Sequence, residues 1–198
     1  YAEDLGCRIK HLGIARRAAN EIELRVHPTL IPSEDLIANV NGVKNAVLVQ
    51  AHAVGPTLYY GAGAGAGPTA SAVVADVIDI VRDISYTEDG AGTIPQLAFE
   101  ALTNVPILSR EQMTTGYYIR LNAEDQTGVL ADVTTILSRA GISIDAIMQQ
   151  SRLKDLIPIV ILTDPVLESK MDEALAQIQA LPTIHGEIIR IRLESLDS

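Results

Sequence analysis

The residues with the most capacity for chemistry lie at positions 59–81, YYGAGAGAGPTASAVVADVIDIV, where an apolar run breaks into four glycines alternating with alanines. Pro68 follows the glycines, and Ala70, Val73, Val74, Val77 and Ile78 then recur at helical spacing, so a strand, a glycine turn and a helix follow in order. Glycine permits positive φ and lets a ligand approach bare peptide N–H groups, and the helix N-terminus adds partial positive charge. The turn is therefore a candidate seat for an anionic or amide-bearing ligand. The competing reading is a Gly/Ala turn that only packs a helix on a sheet. Elsewhere in the first half, His11, His27 and His52 have no metal-ligand spacing and read as structural. Lys10 in an alternating strand reads as an exposed residue. Asn39, Asn41 and Asn45 with Gly42 form a polar cluster that satisfies turn backbone more readily than it binds a ligand.

Gly61, Gly63 and Ala66 also satisfy the G-x-G-x-x-G/A dinucleotide pattern. That fingerprint requires a second apolar strand ending in an acidic residue about 20 positions on. Residues 82–90, RDISYTEDG, read instead as a polar linker, so the pattern is not taken as a Rossmann site.

The elements that must position the turn belong to a chain of 198 residues and net charge −10, enough for one or two domains with a full core. The acidic balance offers no basic stripe to displace phosphate counterions, which argues against nucleic acid. With only Phe99 and six tyrosines, base-stacking platforms are also disfavoured. No run of 18 apolar residues and no signal peptide is seen, so neither membrane nor secretion is expected. The single Cys7 excludes an internal disulfide and fits a reducing cytoplasm. Small metabolites are the expected partners.

Residues 1–5 read as the end of a helix closed by Gly6, in a chain that opens without methionine. Residues 8–16 and 22–26 alternate as two strands joined at Asn20, with His27 and Pro28 ending the second. Ser33 can cap a short helix over 34–39. Residues 43–50 and 57–60 give two further strands across a Gly55-Pro56 turn, and a largely antiparallel sheet is expected to finish at the glycines.

Three ordered stretches in this half, HPTLIP (27–32), NVNGVKNAV (39–47) and GAGAGAGPTASAVVAD (61–76), resemble homoserine dehydrogenase. The resemblance covers nearly all of residues 1–83 and implies the later part of that family's substrate-binding and dimerisation domain. The implied activity is hydride transfer between NAD(P)H and aspartate 4-semialdehyde, giving L-homoserine. It also implies that Gly65, with Gly63 beside it, lies by the nicotinamide of NADP or NAD. The family's D-x-x-x-K segment is not matched, because Gly6 stands four residues before Lys10. Its Rossmann domain and substrate-binding glutamate would lie before Tyr1. No catalytic residue is therefore expected in this chain, which reads as the C-terminal portion of the enzyme and silent by itself.

Residues 84–114, with Pro95 and Pro106 among short apolar pieces, read as a connector. A new module starts near Gly116. Residues 117–123 alternate as a strand, a loop at 124–128 leads to a helix bearing Val129, Leu130, Val133, Ile136 and Leu137, and Gly141 closes it. Strands at 142–148 and 156–163, a helix starting at Asp164-Pro165 and a strand at 184–193 complete βαββαβ, the ferredoxin-like topology. With DQTGVLADVTTIL at 125–137 this resembles an ACT domain, a regulatory amino-acid-binding module. A loop ending at a helix N-terminus offers N–H groups to a carboxylate, and Asp125 can take an ammonium. The implied effector site is Asp125, Gln126, Thr127, Gly128, Val129 and Leu130. Thr127 stands where such loops usually carry proline. The competing reading is that Asp125 caps the helix and the module only dimerises.

The expected class is thus α/β (α+β): a partial catalytic and dimerisation domain at 1–83, a connector at 84–114 and an ACT domain at 115–194. The resemblance implies L-threonine as effector and a homodimer or homotetramer in the cytoplasm. The alternative is a non-catalytic amino-acid sensor or dimerisation module.

Overall fold

The computed structural model describes residues 1–86, 103–149 and 156–195. In chain order the elements are β1 (Cys7–Ala18), β2 (Glu21–Pro32), β3 (Lys44–Ala51), β4 (Gly55–Ala62), α1 (Ala66–Tyr86), β5 (Thr114–Glu124), α2 (Val129–Arg139), β6 (Ile144–Gln149), β7 (Leu156–Leu167), α3 (Glu168–Gln179) and β8 (Ile184–Leu193). Packing divides the chain into one unit of Tyr1–Ala38 with Val105–Ser198 and a second of Asn39–Asn104. These cuts fall elsewhere than the composition boundaries near 83 and 115.

The first unit is a six-stranded sheet in the order β1-β2-β8-β5-β7-β6. Its last four strands pair antiparallel and, with α2 and α3, form the βαββαβ arrangement read from the periodicity. Tyr117, Ile119, Leu121 and Ile161 pack under Val133 and Leu137 of α2 and Met171 and Ile178 of α3, all fully buried. The opposite face buries Tyr118 and Val160 with Leu30, beneath Ala2 and Leu5. Those two residues belong to a single helical turn closed by Gly6 at φ 67° and by the Cys7 N–H bonding the Ala2 carbonyl at 2.8 Å.

The hairpin β1–β2 pairs in register from Cys7↔Pro32 to Ala18↔Glu21. Two expectations are corrected here. Strand β2 does not stop at His27-Pro28; Pro28 lies one residue before the pairing with β8 begins, where an open side tolerates a missing N–H. The hairpin also does not join the following strands. It runs parallel to β8 through Thr29↔Arg192 and Leu30↔Leu193, and the Glu194 N–H bonds the Leu30 carbonyl at 3.0 Å. Burial of Leu30 against Leu193 and Tyr118 accounts for this.

The described end of the connector is tied to the same hairpin. Ile107 bridges Ile22 in parallel, with Ile22 N–H to Pro106 O at 2.9 Å and Leu108 N–H to Ile22 O at 3.0 Å. A 3-10 turn at Arg110–Gln112 leads into β5. The expected helix start at Asp164-Pro165 is displaced to Glu168, because β7 keeps pairing with β5 as far as Leu167↔Thr114. The apolar piece at 94–99 lies outside the described residues.

In the second unit β3 and β4 form a separate hairpin from Lys44↔Ala62 to Ala51↔Gly55, so Gly55 (φ 77°) opens β4 rather than lying in the turn. Helix α1 continues through Tyr86, beyond the point where polar residues 82–90 read as a linker. Nothing in residues 82–86 breaks a helix, Arg82 pairs with Asp79 one turn back at 3.7 Å, and the Ser85 hydroxyl donates to the Val81 carbonyl at 2.7 Å.

Leu30→Ala is expected to destabilise the chain by about 3 kcal/mol, the usual cost of emptying a closed apolar site. A urea unfolding series measures it, and a loss under about 1 kcal/mol would mean that the hairpin is not docked on the sheet.

Candidate functional site

Strand β4 delivers the glycine turn. The Gly63 N–H donates to the Val43 carbonyl at 3.2 Å, continuing the hairpin by one bond. A Cβ on Gly63 would come within 1.5 Å of the Asn45 Nδ2 and 2.7 Å of its Cγ, so the Asn45 amide occupies the space a side chain would need. Gly65 has φ 130°, a conformation that L side chains rarely adopt, and its carbonyl receives the Thr69 N–H at 3.1 Å to start α1. The three asparagines are thus divided. The Asn41 amide donates to the Asn39 carbonyl at 3.0 Å within the turn, while β3 carries Asn45 to the glycines. Asn45, Val47, Tyr59, Tyr60, Gly61 and Gly63 line an open groove of about 340 Å³. Val73, Val74 and Val77 of α1 are more than half exposed. What the turn presents is bare backbone, one amide and the unpaired N–H groups of a helix start.

In the first unit, β5 delivers the second candidate loop. Gly128, at φ 99°, takes the cap position of α2. The first helical bond is the Asp132 N–H to the Gly128 carbonyl at 2.9 Å, leaving the N–H groups of Val129, Leu130 and Ala131 without helical partners. Asp125, Gln126, Thr127 and Gly128 are exposed, Leu130 is 37% exposed, and Val129 is buried in the core as the anchor of α2. Glu124, which opens the loop but was not among its candidate site residues, and His185, absent from the sequence reading, join it. Glu124 accepts the Gln126 amide at 2.7 Å and meets His185 Nε2 at 2.8 Å. Asn122↔His185 pairing brings that histidine in from β8, a contact that no local spacing announces.

Beside the core runs an ionic network. Glu168, fully buried at the start of α3, accepts the Tyr117 hydroxyl at 2.5 Å and Arg192 at 2.6 and 3.0 Å, with Arg190 and Arg110 each at 3.3 Å. Asp172, one turn on, holds Arg110 at 2.8 Å and Arg190 at 2.5 Å. Burial alone would raise the Glu168 carboxyl, but the hydrogen bonds from Tyr117 and Arg192 and the nearby arginine charges outweigh it and hold the group below the usual glutamate range. The Tyr117 hydroxyl is pushed up by burial and by its bond to Glu168. A second cluster closes the joint between β2 and β8. Glu194 is paired to Arg16 and, at 2.6 Å, to Arg25, which lies 2.5 Å from Glu23. His27, next on the same face of β2, is lowered by burial, with the charges of Arg192 and Arg25 adding to the effect.

Known proteins match both halves. The family model described as homoserine dehydrogenase matches residues 1–78, and the ACT domain model matches residues 117–183. The homoserine dehydrogenase of Pseudomonas aeruginosa is 53% identical over 100% of this chain and 46% of its own length. That of Neisseria gonorrhoeae is 48% identical over 99% of this chain and 45% of its own. A crystal structure of a homoserine dehydrogenase from Thiobacillus denitrificans superposes with a TM-score of 0.89 at 56% identity, covering 99% of this chain and 44% of the other. The chain belongs to the homoserine dehydrogenase family. It corresponds to the C-terminal part of those relatives and spans about half of their length. The glycine turn falls in the homoserine dehydrogenase match and the 125–130 loop in the ACT match. The described residues hold no cluster of metal-ligating side chains, and no helix among them is long and apolar enough to cross a membrane.

The Glu168 network gives this homoserine dehydrogenase chain a defined acid response. Because the folded value lies below the unfolded one, its contribution is present above the usual glutamate range and is lost as pH falls through the folded value. Glu168→Gln removes the buried charge that Tyr117 and the partly exposed Arg190 and Arg192 are arranged around and is expected to cost about 3 kcal/mol at neutral pH. Urea unfolding at several pH values should show the gap between the two proteins narrowing on acidification, and a gap constant with pH would contradict the assignment.

Proposed function

We propose that this chain carries part of the catalytic domain and the regulatory domain of an NAD(P)-dependent homoserine dehydrogenase, acting on L-homoserine and aspartate 4-semialdehyde. The observation that carries the reading is the match of this whole chain to about half the length of homoserine dehydrogenases, with both family segments in order and the glycine turn inside the first. Segment 1–83 then belongs to the substrate-binding and dimerisation part, 84–114 to the connector and 115–194 to the ACT domain. NADP or NAD supplies the hydride when bound. The turn fits such a group in one respect: the position of Gly63 admits no side chain without moving Asn45, and Gly65 needs a backbone that only glycine adopts freely. In this reading Gly63 and Gly65 let the cofactor approach the backbone, and Asn45 holds the turn's shape. The proton donor and the remaining cofactor contacts lie outside this chain. The protein works as a homodimer or homotetramer in the cytoplasm, within threonine and methionine synthesis.

The effector is L-threonine. Its carboxylate takes the N–H groups that open α2, and Asp125 takes the ammonium, with Gln126, Thr127, Gly128 and Leu130 around it and Val129 fixing the helix from beneath. Binding only to the folded state stabilises it by about 2.7 kcal/mol at a hundredfold excess over Kd.

Two outcomes are expected. L-threonine at millimolar concentration should raise the melting temperature of the chain by several degrees, and Asp125→Ala should remove most of that rise. Identical melting curves with and without threonine would leave the ACT domain as an interaction module only. In a spectrophotometric assay the chain alone should not oxidise NADPH with aspartate semialdehyde, and turnover by a clean preparation would refute the assignment of the missing chemistry to residues outside it.

A further inference from the structure

The six-stranded sheet has a weak place in its middle. Every other joint in it is an antiparallel ladder of five or more residue pairs, whereas β2 and β8 share two pairs and one added bond from Glu194. What strengthens this joint is charge. Strand β8 carries Arg190 and Arg192 on one face, with Glu194 directly after its end; the two arginines are tied to α3 and the glutamate to the hairpin. Arg190 and Arg192 reach Glu168 at the start of α3, and Glu168 and Asp172 in turn hold Arg110 of the segment leading into β5. Glu194 grips the hairpin through Arg16 of β1 and Arg25 of β2. Ile22 of the same hairpin bonds Pro106 and Leu108 of that segment.

These attachments coincide with the two points at which the chain leaves this unit. The hairpin leads out at Ala38, and the segment bearing Arg110 leads in at Val105. The hairpin is therefore tied to the end of β8 through Glu194, and the segment bearing Arg110 is linked to β8 indirectly, through the α3 carboxylates that also hold Arg190 and Arg192. Strand β8 also carries His185 to Glu124, at the edge of the effector loop. Charge-assisted pairs on a buried carboxylate depend on geometry, so a displacement of β8 shifts both Glu194 and the arginines that share Glu168.

We propose that β8 is the coupling element between the effector loop and the unit of Asn39–Asn104: occupancy of the loop sets the position of β8, and the Glu194 and Glu168 pairs pass that position to both connecting segments. Arg16 and Arg110 are then positioning residues. They touch neither effector nor substrate, and they determine whether binding is felt at a distance. This rests on the threonine reading given above.

The test uses the full-length enzyme containing this chain, with Arg16→Met, Arg110→Met and the double variant. Both side chains are about half exposed, so the variants are expected to fold. Threonine binding is measured by calorimetry, and its inhibition of NADPH-dependent aspartate semialdehyde reduction is measured in parallel. The expected result is a threonine Kd within about twofold of the parent, while maximal inhibition falls by half or more in each single variant and nearly vanishes in the double. Restoration by Arg16→Lys and Arg110→Lys, which keep the charge, would separate coupling from lost packing. Variants that bind threonine and remain inhibited like the parent would overturn the coupling role alone. A parent enzyme that does not bind threonine would overturn the effector assignment, and the coupling role with it.

Discussion

The structure of the first unit depends on how charge is buried beside strand β8. Glu168 has no exposed surface, and a carboxylate taken out of water is tolerated only because a tyrosine hydroxyl and three arginines surround it. Such an arrangement adds little net stability over a well-packed apolar core. It does require that α3, β5, β8 and the segment at Arg110 meet in one geometry. Glu194 imposes the same requirement on the hairpin. The apolar faces supply the free energy of folding, and the ionic groups fix which strand lies next to which.

That division explains what could be read from the sequence. The βαββαβ order was legible because its strands read as short alternating or continuous apolar runs, its helices keep apolar residues at helical spacing, and Gly141 closes α2 where the pattern ends. The glycine turn was legible because positive φ leaves a compositional mark. The partner of β2 was not. Arg16 and Glu194 stand 178 residues apart, and nothing in the alternation of RIRLE at 190–194 says that its charges face a hairpin from the other end of the chain. The end of α1 failed for a different reason: polar residues on an exposed helix look like a linker when only hydrophobicity is counted, although none of residues 82–86 disfavours helix.

The candidate sites show the same pattern. The two loops were found by local chemistry, a glycine run before one helix and an acidic turn before another. Of their supports, Asn45 and Glu124 stood in the sequence reading without a role, whereas His185 arrives through strand pairing and carries no signal of its own. Val129 belonged to the predicted site by position yet serves as core, since the residue that follows a helix cap alternates between facing the loop and facing the sheet as the helix turns.

The joint between β2 and β8 also bears on how such a protein can change over generations. The hairpin lies in the segment that matches the dehydrogenase family and β8 follows the segment that matches the ACT domain, yet they are neighbours in one sheet. A boundary visible in sequence is therefore not a boundary at which one lineage could exchange its regulatory module for another's. An incoming ACT segment without a carboxylate at the place of Glu194 would leave Arg16 without that partner and Arg25 with Glu23 alone. The two segments are bound to be inherited together, or to diverge in step at these few positions.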